Sequence, residues 1–363
     1  MTEELSRTSA LASRHSALGS GLEDWNGMGT AWTYDTDPNV EHDAVRERAG
    51  MFDMSPLKKV FVRGPDAMAT LDHLTTRDMS RIKPGSSAYL CVLTDNGGIA
   101  DDAIVSNNDG NEWMIVHGSG DTMALLQKSA EGRNVELQFT DDLHDLSVQG
   151  PESCSILNAN CDIDLTSLSY FEHTPATLFS HPCRLSRTGY SGERGYEIFA
   201  DASVIGDIWD KLVSADVMPC SFTALDKVRI EAGLLFYGYD MTDGNTPWEV
   251  GLGFTVHEQK KDFRGKQALM KAKGSEKINN VTLDVSHADM LAGGEKLSLD
   301  STEVGLVNSP CYSTRLGKSL ALAHIQPKIA AGTVLQVAGD GIDTTATVVE
   351  SPIYDPKKSR THA

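Results

Sequence analysis

The 363-residue chain has no apolar run approaching membrane-spanning length, which excludes a helical transmembrane role. Its first residues, Met1-Thr2-Glu3-Glu4-Leu5-Ser6-Arg7, lack an apolar core and do not read as a secretory signal. Basic residues are in deficit: 32 lysines and arginines stand against 51 aspartates and glutamates, for a formal net charge of −19. That field repels phosphate backbones and argues against a general nucleic-acid binder, while leaving room for a local basic pocket that takes a small anion. Cysteine is sparse: Cys91, Cys154, Cys161, Cys183, Cys220 and Cys311 are scattered, with no CxxC pair. Free thiols in a reducing cytosol are expected, and no Cys/His cluster has metal-ligand spacing. GxGxxG, GxxxxGK[ST], HExxH and GxSxG are all missing, so Rossmann-type cofactor binding, nucleotide hydrolysis and common hydrolase chemistry have no motif behind them.

What is present is ordinary globular composition, 40% hydrophobic and 23% charged, at a length suited to two or three domains. Glu41 to Gly50 is rich in helix formers and predicts a helix stopping at the glycine. Lys59 to Arg63 reads as a strand closed by Gly64-Pro65, with Asp66 placed to cap a helix over Ala67 to Leu74. Strands are expected at Ser87–Leu93, Ile99–Val105 and Glu112–Val116, the first two joined by an Asp95-Asn96-Gly97-Gly98 turn. Leu143 to Val148, then Gly150-Pro151 and a helix to Asn158, repeats the strand, Gly-Pro, helix order and hints at two similar α/β units. Val204–Val213 and Thr223–Leu235 read as amphipathic helices, and Gln267–Lys273 as a short one. Beyond about residue 275, short alternating runs (Val281–Val285, Glu303–Val307, Ala321–Ile325, Thr333–Val337, Thr345–Val349) predict a small all-β domain. Trp25 and Trp32, set among glycines, suggest a loop folded against the body of the protein.

Three runs could carry chemistry. In Gly97-Gly98-Ile99-Ala100-Asp101-Asp102 two acids enter an apolar strand, where they must point to opposite faces. Either both hydrogen-bond the turn, or one is a partly buried base or cation partner. In Ser186-Arg187-Thr188-Gly189-Tyr190-Ser191-Gly192 through Tyr196-Glu197-Ile198, the tyrosines offer stacking surfaces and Glu197 enters a strand with apolar neighbours. A carboxylate there needs a fixed donor partner: a structural salt bridge, or a ligand with a two-donor edge such as an aminopyrimidinone. In Arg229-Ile230-Glu231 the charges predict internal ion pairs, while Asp240 and Glu249 flank a loop from which they could reach a ligand cation.

With Gly50-Met51-Phe52-Asp53, Gln149-Gly150-Pro151, Arg229-Ile230-Glu231-Ala232-Gly233 and Leu316-Gly317-Lys318-Ser319, these runs resemble, in family order, the aminomethyltransferase family typified by the glycine cleavage T protein. The resemblance implies an α+β fold: two related α/β subdomains around a central tetrahydrofolate cleft, and a C-terminal small β-barrel. The expected division is residues 1–56 with 143–274, then 57–142, then 275–363. It implies that Asp102 is the catalytic aspartate, that Glu197 grips the pterin, that Tyr89, Tyr170 and Tyr190 line the folate cleft, and that Arg360 lies near the folate site, where it suits folate carboxylates. Leu225 stands where the family carries an arginine, and Ser106 where a tyrosine is expected. The implied activity is tetrahydrofolate-dependent one-carbon transfer, with a methyl group passed from a small onium, amine or ether donor such as dimethylsulfoniopropionate as the first reading. Aminomethyl transfer with a lipoyl carrier protein, and a non-catalytic folate-binding role, are the alternatives. Trp25, Trp32 and Trp248 would suit an onium donor through cation–π contact.

Overall fold

The computed structural model describes residues 5–339 and 341–363. Two sheets of similar topology face one another. The first runs, edge to edge, Ser86–Leu93, Ile99–Asn107, Glu112–His117, Lys58–Arg63, Glu136–Thr140. The second runs His173–Leu178, His181–Ser186, Gly195–Asp201, Leu143–Gln149, Gly50–Asp53, with Met218–Pro219 added in parallel. In each, a hairpin is followed by a central strand that pairs with the strand opening the repeat. The repeat hinted at by Gly64-Pro65 and Gly150-Pro151 is therefore real. Both glycines hold a positive φ, +118° and +128°, that a side chain adopts only with strain, and both lead into a helix, Ala67–Leu74 and Ser153–Asn158.

Each sheet buries its outer face. Val60, Val62, Val105 and Ile115 pack against Leu71, Leu74, Leu125 and Leu126 of the helices Ala67–Leu74 and Thr122–Ala130. Leu146, Val148, Tyr196 and Ile198 pack against Ile205, Ile208, Trp209 and Leu212 of Ile205–Ser214. Period-two alternation then sends every second residue of the same strands to the inner face, between the sheets. The inner faces pack against each other through Met114, Val116 and Phe199.

The remaining chain closes the structure. Asn279–Val285, Lys318–Ile325, Thr302–Ser313, Lys296–Leu299, Val334–Gly339 and Ile342–Val349 form a closed six-stranded barrel. The strand Lys296–Leu299 goes beyond the sequence reading, because four residues between turns leave too short a pattern to read. Cys91, Leu93 and Ile99 of the first sheet share a core with Ile230, Leu252 and Phe263, and with Cys311, Leu320 and Leu322 of the barrel.

Some local expectations are corrected. The helix expected to end at Gly50 spans Pro38–Glu47, capped by Asp37 accepting from the Asn39 N–H at 2.9 Å, and Gly50 instead opens a strand. Asp66 does not cap its helix; its carboxylate accepts from the Asn134 N–H at 2.7 Å and ties in the strand that follows. Asp240 and Glu249, suggested as partners for a ligand cation, make protein contacts: Asp240 Oδ2 pairs with Arg229, and Glu249 accepts from the Thr246 and Lys277 N–H groups.

Arg229 and Glu231 do lie in internal ion pairs, with other partners rather than each other. Glu231 is fully buried and accepts from His42 Nε2 at 2.9 Å, from Arg46 Nη2 at 2.6 Å and from the Ser313 hydroxyl of the barrel. Burial opposes its ionisation, but His42, Arg46 and Ser313 outweigh that and hold its pKa down at about 2. A depressed acid contributes stability above its unfolded value that is lost as pH falls through its folded one. Glu231→Gln removes one of the two carboxylates that pair with the buried Arg46 guanidinium and is expected to cost about 3 kcal/mol at pH 7. Denaturant melts should show that gap narrowing as pH falls from 4.5 toward 2.

Candidate active site

Between the sheets lies a cavity of about 730 Å3, a common size for a small-molecule site. From the first sheet, Asp102, Ile104 and Ser106 point into it, while Asp101 and Val105 turn away toward the helices. Gly98, at the tip of the preceding hairpin, admits the loop that roofs this end. A Cβ there would sit 1.8 Å from the Asp243 carbonyl oxygen, and the next residue, Ile99, donates its N–H to the Asn245 carbonyl at 2.8 Å.

The two acids thus acquire different surroundings from one strand. Asp101 is fully buried and accepts from the Thr122 hydroxyl at 2.8 Å, from His117 Nδ1 at 3.0 Å and from the Asp102 N–H at 3.0 Å. Asp102 faces the cavity and accepts from the Tyr89 hydroxyl at 2.9 Å. Burial, then the charge of Asp101, pushes the Asp102 carboxyl up to about 7, against the downward pull of Tyr89. Neither acid merely hydrogen-bonds the turn.

From the second sheet, Glu197 and Phe199 reach the same cavity, while Tyr196 and Ile198 enter the outer core. Glu197 is 9% exposed. The Thr188 hydroxyl donates to its Oε2, and no other protein donor among the described residues bonds to the carboxylate. Burial raises its pKa, opposed by Thr188, Arg184 and Lys59. It is therefore an acid in low dielectric that keeps acceptor capacity for something in the cavity, which fits a pterin edge offering two N–H donors. Among the described residues no salt bridge forms at Glu197.

Tyr89, Tyr170, Tyr190 and Trp25 line the cavity too. Trp25 packs against Phe222 and Phe236, with ring centroids at 5.1 and 5.8 Å. Trp32 and Trp248 lie outside the lining. Trp32 leans on Phe222 at 5.4 Å, and the Trp248 indole N–H donates to the Leu269 carbonyl at 3.1 Å, so both are occupied as packing residues. Arg360 borders a neighbouring pocket with Pro151, Cys154 and Ala363, and its guanidinium meets Glu193 at 3.2 Å. From the same C-terminal segment, Lys358, Thr361 and His362 reach the main cavity instead. Leu225 and Ser106, which both depart from the family pattern, line it.

Sequence reasoning missed Arg77, Phe236, Tyr237 and Phe254 among the lining residues. They sit in loops or, for Phe254, in a single 3-10 turn, Gly253–Thr255, too short for periodicity to mark a face. Only the exposure of large aromatics in a loop could have hinted at Phe254, which is 63% exposed.

Comparison with known proteins agrees with this architecture. Residues 11–260 match the model described as the GCVT N-terminal domain, and residues 277–355 match the glycine cleavage T-protein C-terminal barrel domain. The chain is 45% identical over 370 aligned residues to a heme-dependent oxidative N-demethylase gamma subunit from Ectopseudomonas mendocina, covering 98% of this chain and 97% of that one. It is 33% identical to an aminomethyltransferase from Streptomyces coelicolor, covering 98% and 99%. The crystal structure of the glycine cleavage system aminomethyltransferase T from Bartonella henselae superimposes with a TM-score of 0.88 at 25% identity, over 96% of this chain and 98% of that one. Among the described residues no helix is long and apolar enough to cross a membrane. Two repeated α/β sheets facing across an acid-lined cavity, a closed barrel behind them, and matches along nearly the whole length place this chain in the aminomethyltransferase family of one-carbon transferases.

Proposed function

We propose that this chain uses tetrahydrofolate to accept a one-carbon unit released from a methylated amine. The observation that carries the reading is the cavity into which Asp102 and Glu197 project from opposed sheets. Tetrahydrofolate, when bound, supplies pterin nitrogens that take up the carbon. The protein's own residues do the rest. Glu197 accepts from the pterin's N–H edge and sets its orientation, while Tyr170 and Tyr190 wall the ring. Asp102, its pKa near neutrality and its carboxylate held by the Tyr89 hydroxyl, would take or give the proton at a reacting nitrogen. Positioning supplies most of the rate.

The amine donor class rests on the 45% identity to an N-demethylase subunit. Aminomethyl transfer from a lipoyl carrier protein is the second reading, favoured by the 33% identity to an aminomethyltransferase. Mass spectrometry of the folate product separates them. Purified protein with tetrahydrofolate and labelled formaldehyde, the oxidation level at which an N-methyl carbon is released by oxidation, is expected to yield labelled methylene-tetrahydrofolate and water, faster than the protein-free mixture and without any carrier. Acceleration only in the presence of a lipoyl carrier would select the second reading, and no acceleration under either condition would overturn both.

A further inference from the structure

The cavity contains a cation that the reading above leaves without work. Arg77 follows the helix Ala67–Leu74, and its Nε donates to the Tyr89 carbonyl at 3.0 Å. Its guanidinium carbon lies 5.9 Å from the centroid of the Phe254 ring, whose plane is within 26° of that of Tyr89. The backbone beneath it is pinned. The buried Lys260 ammonium donates to the carbonyls of Thr75 at 2.7 Å and Arg77 at 2.6 Å, and also to that of Asp72. Arg77 is thus held at its main chain and at Nε, is partly buried, and lines the cavity.

What it lacks is an anion. Among the described residues no carboxylate pairs with Arg77, and its two terminal amino groups have no protein acceptor. Arg133 and Arg184 likewise pair with no carboxylate among the described residues, but they donate to Ser129 and Asn108 and do not line the cavity, whereas Arg77 does. Arg46 and Arg229, by comparison, each hold two carboxylates. Lys358 also borders the cavity, but it is exposed and on a flexible stem. A ligand carboxylate entering a cavity lined by Asp102 and Glu197 meets like charge, and a pre-positioned guanidinium with a free two-donor edge offsets that repulsion.

We infer that Arg77 is a carboxylate seat on the Tyr89 side of the cavity, holding an acid group of the bound ligand. It deepens the folate reading and rests on it in part. The carboxylate can come from either of two ligands: the glutamyl tail of folate, or an amino-acid donor such as N-methylglycine.

Calorimetry on the full chain distinguishes these sources, comparing wild type with Arg77→Met and Arg77→Lys. The probes are 5-formyl-tetrahydrofolate, a tetrahydropterin lacking the benzoylglutamate tail, N-methylglycine and dimethylamine. If the seat takes the tail, Arg77→Met weakens 5-formyl-tetrahydrofolate roughly 10- to 100-fold and leaves the tail-less pterin unchanged, with Arg77→Lys intermediate. If it takes the donor, both pterins bind as before, and N-methylglycine is weakened by a similar factor while dimethylamine is not. Arg77→Met indistinguishable from wild type with all four probes, or weakening the tail-less pterin as much as the complete folate, overturns the seat. Wild-type protein that binds neither pterin overturns the folate reading, and the N-methylglycine arm then decides Arg77 alone. Thermal melts of both variants control for folding, and Arg77→Lys keeps the test valid if the methionine variant is unstable.

Discussion

Asp102→Asn is expected to lower turnover about 100- to 10,000-fold while folate affinity changes little. The substitution keeps the shape and the Tyr89 hydrogen bond but removes the titrating carboxyl. In the wild type, burial and the charge of Asp101 raise the Asp102 pKa from 3.8 to about 7. Below that value the group is protonated and cannot take a proton from a pterin nitrogen. The wild-type rate should therefore rise with pH through about 7, and the residual rate of Asp102→Asn should be flat across the same window. Stability should move the other way. An acid whose folded pKa is raised favours the fold below its unfolded value and loses that advantage as pH rises through the folded one. The wild type should lose stability between pH 3.8 and about 7 on this account, and at pH 8 Asp102→Asn should melt at a higher temperature than wild type although it is the less active protein. Near-wild-type turnover for Asp102→Asn would remove this residue from the mechanism. A lower melting temperature at pH 8 would contradict the account of its burial.

Glu197→Gln should act on binding. The substituted amide would retain the volume and one acceptor but present an N–H where the pterin edge presents donors, and it would lose the charge that strengthens both contacts. Folate affinity is expected to fall roughly 10- to 100-fold, with turnover at saturating folate changed far less. Thr188→Val offers a milder version, because Thr188 is the protein donor that orients the Glu197 carboxylate. Calorimetry showing unchanged affinity for Glu197→Gln would refute the assignment.

The two acids also show why sequence and structure contributed different things. Asp101 and Asp102 are adjacent, and alternation along a strand states that one faces in and the other out. It does not state which. That was settled by the helix Thr122–Ala130, which covers the side holding Asp101, Thr122 and His117. Glu197 was legible because a carboxylate among apolar strand residues is costly and demands a partner. That the salt bridge allowed by the sequence is missing depended on Arg184, which donates to Asn108 instead and lies against Phe199.

Determined by the sequence alone were the strands and their alternation, the Gly-Pro punctuation of the two repeats, the all-β character beyond residue 275, and the order of motifs that marks the family. All of these depend on spacing along the chain, and spacing needs no neighbour. Decided only by the tertiary structure were the residues that share the cavity: Trp25 enters it and Trp32 does not, Arg360 turns to an adjacent pocket, and Arg77 and Phe254 join the lining from a loop and a 3-10 turn. Burial, proton affinity and ion pairing are properties of surroundings assembled from distant parts of the chain. Asp102 at about pH 7 and Glu231 at about pH 2 are both acids in this protein, and what separates them is whether the packing around each brought another acid or a set of donors led by His42 and Arg46.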